Sequence, residues 1–354
     1  MTAKLISIVG ARPQFVKAAV VSEQLSAHGL QEVMIHTGQH YDFNMSRSFF
    51  TALSLPEPKY NLGIGGGSHA EMTGRQLIAI EERLREERPD AVLVYGDTNS
   101  TLAGALAAVK LWIPVAHVEA GLRSFNNQMP EEINRIVTDR ISAVMFSPSR
   151  VASDNLRAEG VPDAKIVEVG DVMYDAALRY GGSAVKVADG IKRCVVTIHR
   201  AENTDDEERL RIIVSALERL AREFRITFPV HPRTRQALAR IGKDEALKSV
   251  VNLIEPIGYI EMLAAVRAAD LVITDSGGLQ KEAYFLGTPC VTLRGETEWT
   301  ETVALGWNRL VTELSAENII AAAHRAQPPA QVGAHPYGDG TASARIARYL
   351  RDML

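Results

Sequence analysis

The residues able to do chemistry fall in six short clusters, most of them directly after an apolar run. Gly10-Ala11-Arg12-Pro13 sets a glycine turn beside a guanidinium, with Lys17 one helical turn further on. That pairing suits an anionic ligand, although a turn carrying a surface Arg and Lys would read the same. Tyr95-Gly96-Asp97-Thr98 leads from a strand into a helix, so Asp97 is either the helix cap or a working acid. In His117-Val118-Glu119-Ala120-Gly121-Leu122-Arg123 a carboxylate ends an apolar strand, where an acid is disfavoured unless paired or functional. Met129-Pro130-Glu131-Glu132 has the proline and acids of an ordinary helix start. Ile198-His199-Arg200 puts an imidazole at a strand end, a place shared by satisfied core or loop histidines and by proton-handling ones. Asp275-Ser276-Gly277-Gly278 joins a strand to a helix. Its glycines admit a ligand to the backbone, and the helix start offers free N–H groups and a positive dipole end, so phosphate is the expected guest. Glu282, one turn along, could accept from ribose hydroxyls.

Other sites are excluded or weak. No G-x-x-x-x-G-K-[ST] run exists, so a P-loop is absent. Gly63-Ile64-Gly65-Gly66-Gly67 follows no clear strand and does not fit G-x-G-x-x-G; it reads as a mobile loop. His117-x-Glu119 has the spacing of a zinc deaminase but lacks the cysteine pair.

The elements that must hold these clusters alternate along the whole chain. Strand-like runs are Leu5–Val9, Val33–Thr37, Ala91–Tyr95, Val115–Val118, Ala143–Ser147 and Ile166–Val169. In the second half they are Cys194–Ile198, Arg225–Val230, Val250–Ile254, Leu271–Thr274 and Pro289–Leu293. Between them lie helical patterns: Leu77, Ile80 and Leu84; Thr101–Trp112; and Leu210, Ile213, Leu217 and Leu220 within Asp206–Glu223. Pro89 and Pro114 stop helices before the next strand. Continuously apolar strands separated by helices indicate parallel sheets covered on both faces, with ligands beyond the carboxyl ends of the strands. Tyr180–Lys192, rich in Gly, Ala and Lys, suits a domain junction; Gln327–Gly340 is a second loose stretch, followed by a helix from about Thr341 to Met353.

At 354 residues, two domains are expected. With 39 Lys and Arg against 43 Asp and Glu the net charge is −4, which argues against a nucleic-acid binder. No apolar run is long enough for a membrane span, and the N-terminal run reads as a strand, not a signal peptide. The 2 cysteines, Cys194 and Cys290, lie in separate apolar runs; they exclude a disulfide scaffold and a cysteine zinc site and favour a reducing cytoplasm.

Taken in order, these motifs resemble the non-hydrolysing UDP-N-acetylglucosamine 2-epimerases. The resemblance runs from Gly10-Ala11-Arg12-Pro13 to Pro336-Tyr337-Gly338-Asp339-Gly340, nearly the whole chain. It implies an α/β GT-B fold, two Rossmann-like doubly wound parallel-sheet domains with an interdomain cleft. The N-terminal domain would cover 1–178, completed by a returning C-terminal helix at 341–354; the UDP-binding domain would cover 179–340. The implied reaction inverts C2 of UDP-GlcNAc, giving UDP-ManNAc, or of a relative such as UDP-2,3-diacetamido-2,3-dideoxyglucuronate. UDP leaves by anti elimination to a 2-acetamidoglycal and adds back while C2 is reprotonated on the other face. The C2 proton is poorly acidic, so loss of the diphosphate leads and an oxocarbenium-like state needs carboxylates near the sugar. By resemblance Asp97, Glu119 and Glu131 supply these, His199 and Arg12 stabilise the departing diphosphate with Lys17 nearby, Ser276, Gly277 and Gly278 hold phosphate, and Glu282 holds ribose. No metal or other cofactor is implied. The family also implies a homodimer and a role in making cell-surface polysaccharide precursors, beside the cytoplasmic setting and the lack of nucleic-acid or membrane partners read from cysteines, charge and apolar runs.

Trp299 stands where the simple UDP-N-acetylglucosamine epimerases carry Arg, Met262 where an aromatic lines the uracil pocket, and Lys281 where Glu is common. Gln39-His40-Tyr41-Asp42-Phe43-Asn44 lacks the Arg-Glu-Met-x-x-Gln continuation of enzymes activated by UDP-N-acetylglucosamine, so the resemblance does not extend to that regulation. Gly-Ala-Arg-Pro-Gln-Phe and Thr-Glu-Trp look more like the diacetamido-glucuronate branch. The hydrolysing branch has Arg-Ala-Asp in place of Arg12-Pro13-Gln14, which argues against net UDP release. Two other readings stand beside this one: a GT-B glycosyltransferase using a UDP-sugar, and a non-catalytic sugar-nucleotide binding module.

Overall fold

A computed structural model describes residues 2–39, 50–182, 186–329 and 335–354. The chain divides into two compact units, Met1–Ala176 with His335–Leu354, and Ala177–Ala334.

The first unit is built on a seven-stranded sheet of order β3-β2-β1-β4-β5-β6-β7. Its strands are β1 (Lys4–Val9), β2 (Gln31–His36), β3 (Tyr60–Asn61), β4 (Ala91–Tyr95), β5 (Val115–Val118), β6 (Val144–Ser147) and β7 (Ile166–Glu168). Every pairing is parallel. β4 is buried along its whole length, as a strand covered on both faces must be. β1 and β4 lie side by side as parallel strands, and the chain order reverses between them, the place beyond whose strand ends such sheets bind ligands. The helix Asn99–Lys110 packs close on this sheet because it is rich in Ala and has a glycine at the contact; a Cβ on Gly104 would lie 2.6 Å from Ile8 Cδ1.

Residues 335–354 rejoin this unit. The Tyr337 carbonyl accepts from Asp171 N at 2.9 Å. Gly170, at φ +92, leaves the space that a Cβ would deny it, 2.8 Å from that oxygen. Asp175 then accepts from Ala342 N and Ser343 N, capping the helix Ala342–Met353 from another element. Ile346, Ala347 and Leu350 are fully buried, and Tyr349 meets Phe146 edge-on at 5.5 Å.

The second unit repeats the plan with six parallel strands in the order β10-β9-β8-β11-β12-β13. They are β8 (Lys192–Thr197), β9 (Phe224–Pro229), β10 (Asn252–Ile254), β11 (Leu271–Thr274), β12 (Cys290–Thr292) and β13 (Asn308–Leu310). The helix Glu207–Leu220 buries Leu210, Ile213, Leu217 and Leu220, and Asp206 caps it by accepting from Glu208 N and Arg209 N. Here the order reverses between β8 and β11.

Three sequence expectations need correction. Asp97 does not cap the helix Asn99–Lys110; Thr98 does, accepting from Thr101 N at 3.3 Å. The glycine run 63–67 follows the short strand β3 and is anchored, with Ile64 N donating to Thr37 O at 2.7 Å and Arg75 donating to the carbonyl of Gly66 at 2.9 Å. β3 and β13, two and three residues long, escaped a reading based on apolar runs. His40 to Asn44, of the segment compared with activator-binding enzymes, lie outside the described residues.

Candidate active site

In the first unit the loops after β1 and β4 touch directly. Gly10 closes β1 where a Cβ would fall 2.1 Å from Ser100 Oγ and 2.3 Å from Thr37 Oγ1, so only glycine fits. Buried Gln14 ties the loops together: its Oε1 accepts from Gly10 N (2.7 Å) and Ala11 N (3.0 Å), and its Nε2 donates to the Tyr95 carbonyl (2.6 Å). Arg12 is exposed on the same turn. Lys17 points inward, is buried, and ion-pairs with Glu119. A Cβ on Gly96 would lie 3.3 Å from both the Lys17 ammonium and the Glu119 carboxylate, so the loop after β4 presses on that pair.

Glu119 has φ +70, a conformation that costs a non-glycine residue on the order of 1–3 kcal/mol and is kept where the surroundings over-determine it. Asp97 accepts from Arg135 at 2.6 Å, and Arg135 also donates to Glu132 at 2.7 Å. Both acids hold the Arg135 guanidinium charged, raising its pKa against the effect of burial. Glu132 is buried and accepts from the backbone N–H groups of Ser124 and Phe125. Burial would raise its carboxyl, but these donors and Arg135 prevail and hold it below the usual range. Glu131, by contrast, is half-buried and has no side-chain hydrogen bond or ion pair among the described residues. The helix it opens supplies Asn134, which donates to the Asp97 carbonyl at 2.9 Å.

Beneath these acids lies a second polar layer. His117 Nε2 hydrogen-bonds with the Gly96 carbonyl (2.8 Å), and its Nδ1 lies 2.7 Å from Asp139 Oδ1. Asp139 also takes the Arg123 guanidinium at 2.8 Å. Burial pushes the Asp139 carboxyl up, but His117 and Arg123 outweigh it and leave it below the ordinary value.

In the second unit the loops after β8 and β11 meet around a fully buried Asp275. It accepts from His199 N (3.1 Å), Arg200 N (3.0 Å) and Asn203 Nδ2 (3.1 Å), and its carboxylate lies 3.2 Å from His199 Nδ1. Burial would raise the Asp275 carboxyl, yet these donors lower it. His199 is therefore oriented from behind while its ring remains 43% exposed. Ser276 caps the helix Gly277–Phe285. A Cβ on Gly277 would lie 3.9 Å from Arg200 Nη2, Arg294 Nη1 and Glu298 Oε2, so two guanidiniums stand beside the helix tip. Arg294 is bidentate with Glu298, at 3.0 and 3.1 Å. Glu282 is buried one turn on, and Lys281 lies 3.9 Å over the Trp299 ring. A helix start flanked by guanidiniums can hold a diphosphate.

The expected residues thus form two groups. Arg12, Lys17, Asp97 and Glu119 share the sheet end of the first unit, with Glu131 on the adjoining helix; His199, Ser276, Gly277, Gly278 and Glu282 share that of the second. Gln14, Arg135, His117, Asp139, Arg294 and Glu298 were not singled out by sequence reasoning as site residues. Among the described residues no helix is long and apolar enough to cross a membrane.

Comparison with known proteins agrees with this fold. The family model described as UDP-N-acetylglucosamine 2-epimerase matches residues 23–351. The UDP-2,3-diacetamido-2,3-dideoxy-D-glucuronate 2-epimerase of Pseudomonas aeruginosa is 51% identical, over 99% of this chain and 100% of that protein. The UDP-N-acetylglucosamine 2-epimerase of Methanocaldococcus jannaschii is 43% identical over 98% of both chains. A crystal structure of the M. jannaschii enzyme in complex with UDP-GlcNAc and UDP superposes with TM-score 0.84 at 44% identity, covering 98% of this chain and 99% of that one. The two Rossmann-like sheets are those of a GT-B-like fold, and the chain belongs to the UDP-N-acetylglucosamine 2-epimerase family of isomerases.

Proposed function

We propose that the protein inverts C2 of a UDP-linked 2-acetamido sugar without net hydrolysis, and that its substrate is UDP-2,3-diacetamido-2,3-dideoxyglucuronate or UDP-GlcNAc. The carrying observation is the paired Glu119, held at φ +70 beside Lys17 and the Asp97 loop, in a chain of this family. The 51% identity to the Pseudomonas aeruginosa enzyme favours the diacetamido-glucuronate.

In the proposed reaction the C2–H and C1–O bonds both break. The C–H electrons become the C1–C2 double bond of the glycal, the diphosphate leaves with the C–O pair, and the C2 proton passes to a protein group. Return of UDP to C1, with a proton delivered to the opposite face of C2, gives the epimer. Asp97, Glu119 and Glu131 are proposed to handle protons and stabilise the oxocarbenium-like state. His199, Arg12 and Lys17 are proposed to stabilise the leaving diphosphate, the amides of Ser276–Gly278 to hold phosphate, and Glu282 to hold ribose. We further propose that it works in the cytoplasm, as a homodimer, in supplying cell-surface polysaccharide precursors.

Incubation with each UDP-sugar in deuterated water, followed by NMR, tests the reading. C2 inversion with deuterium incorporation is expected for at least one of the two. Absence of exchange in both overturns it. Sedimentation at micromolar concentration tests the dimer.

A further inference from the structure

Asp97, Glu119 and Glu131 sit on three separate pieces of chain: the loop after β4, the turn after β5 and the helix Pro130–Ile141. A parallel ladder fixes the strands but leaves the loops beyond them free to vary. One buried pair, His117 and Asp139, touches all three pieces. His117 binds the carbonyl of Gly96, the residue before Asp97, at 2.8 Å. Its other nitrogen binds Asp139 at 2.7 Å, on the helix that Glu131 opens. The second Asp139 oxygen accepts from Gly121 N at 3.1 Å, two residues past Glu119. Arg123 closes the cluster on that oxygen at 2.8 Å. His117 is 0% and Asp139 1% exposed.

Glu119 shows what the cluster maintains. Its positive φ is held by two amides, Glu119 N and Ala120 N, donating to the Phe146 carbonyl at 3.1 Å, and by the Gly121–Asp139 bond immediately after. A buried ion cluster is weak evidence for stability, because desolvation offsets much of the attraction. Its directional bonds do fix geometry.

We propose that His117 and Asp139 are positioning residues that set the relative placement of Asp97, Glu119 and Glu131 without touching substrate. The effect on turnover rests on the C2-epimerase reading above; the geometric role does not. Plain core packing is the competing account, under which an apolar ring of similar size would serve as well.

Full-length His117→Phe and His117→Gln test it. For His117→Phe, kcat is expected to fall about 100-fold, the scale of an ångström's misplacement, while KM and the UDP dissociation constant stay within about twofold. His117→Gln, whose amide nitrogen can still reach the Gly96 carbonyl, should recover about tenfold of that loss. The crystal structure of His117→Phe should show the Gly96 carbonyl or the Glu119 turn displaced from its place in the unmodified protein. A folded His117→Phe with unchanged kcat overturns the proposal, and so does a fall in kcat with both groups unmoved. Should that variant not fold, Asp139→Asn is read by the same measures. If the unmodified protein exchanges C2 on neither UDP-sugar, the functional reading fails; the crystallographic comparison still decides the positioning role.

Discussion

Glu119 combines a buried ammonium partner, a left-handed backbone and a place at the end of an apolar strand. Glu119→Gln, Asp97→Asn and His199→Ala should each lower C2 exchange by at least about 100-fold, the lower range of general acid–base effects. Near-normal rates in two of the three would undo the role assignment. Asp275→Ala should destabilise the second unit by about 1–3 kcal/mol, because the His199 and Arg200 amides lose their acceptor. Urea unfolding at neutral pH checks this, and an unchanged midpoint would show that Asp275 does not hold the loop. Glu119 and Ser276 could be singled out in the sequence because they break or exploit a local rule: an acid where a strand should be apolar, glycines where a helix should start. Gln14 could not, since its meaning comes from Tyr95, 81 residues away. Asp139 looks like an ordinary surface acid of a short helix until the imidazole of His117, 22 residues away, and the Arg123 guanidinium meet it.

At the scale of elements, two carboxylates give opposite pH signatures. Glu87, at the end of the helix His69–Glu87, accepts from Lys4, Lys59 and Tyr60, and these bonds lower its carboxyl to about 2. Its folded value lies below the unfolded one, so its contribution is complete above the ordinary Glu value of about 4.3 and is lost as the pH falls towards 2. Urea midpoints of Glu87→Gln and the unmodified protein should therefore differ at pH 6 and converge on acidification. Glu32 on β2 is raised instead, chiefly by burial, though Ser7 donates to it. Its ionised form is disfavoured in the fold, so stability declines as the pH rises from its unfolded value through its folded one. Glu32→Gln should thus raise the melting temperature at pH 8 relative to its effect at pH 4, and the reverse ordering would contradict the assignment. The strands were legible because both faces are covered, which leaves unbroken apolar runs; Ala91–Tyr95 and Leu271–Thr274 have the bounds expected of them. β3 and β13 were not, because two or three residues leave no pattern and their pairing is decided by the neighbouring strand.

For the whole molecule, alternation of strands and helices made two doubly wound sheets readable. The way the chain re-enters its first unit was readable only through family resemblance, since nothing local in residues 335–354 names the surface they cover. Leu350→Ala, at a fully buried position of that returning helix, should cost about 2–5 kcal/mol, the range for leucine truncation in a core. Equilibrium unfolding measures it, and a loss under about 0.5 kcal/mol would mean the helix contributes little. That return also dictates an order of events during synthesis. A ribosome makes residues 1–176 first, yet the surface that covers Ile346, Ala347 and Leu350 lacks that helix until the entire second sheet has been translated. The nascent first sheet therefore lacks part of its apolar cover until the last helix arrives, and a stalled or clipped message would leave it permanently unsealed.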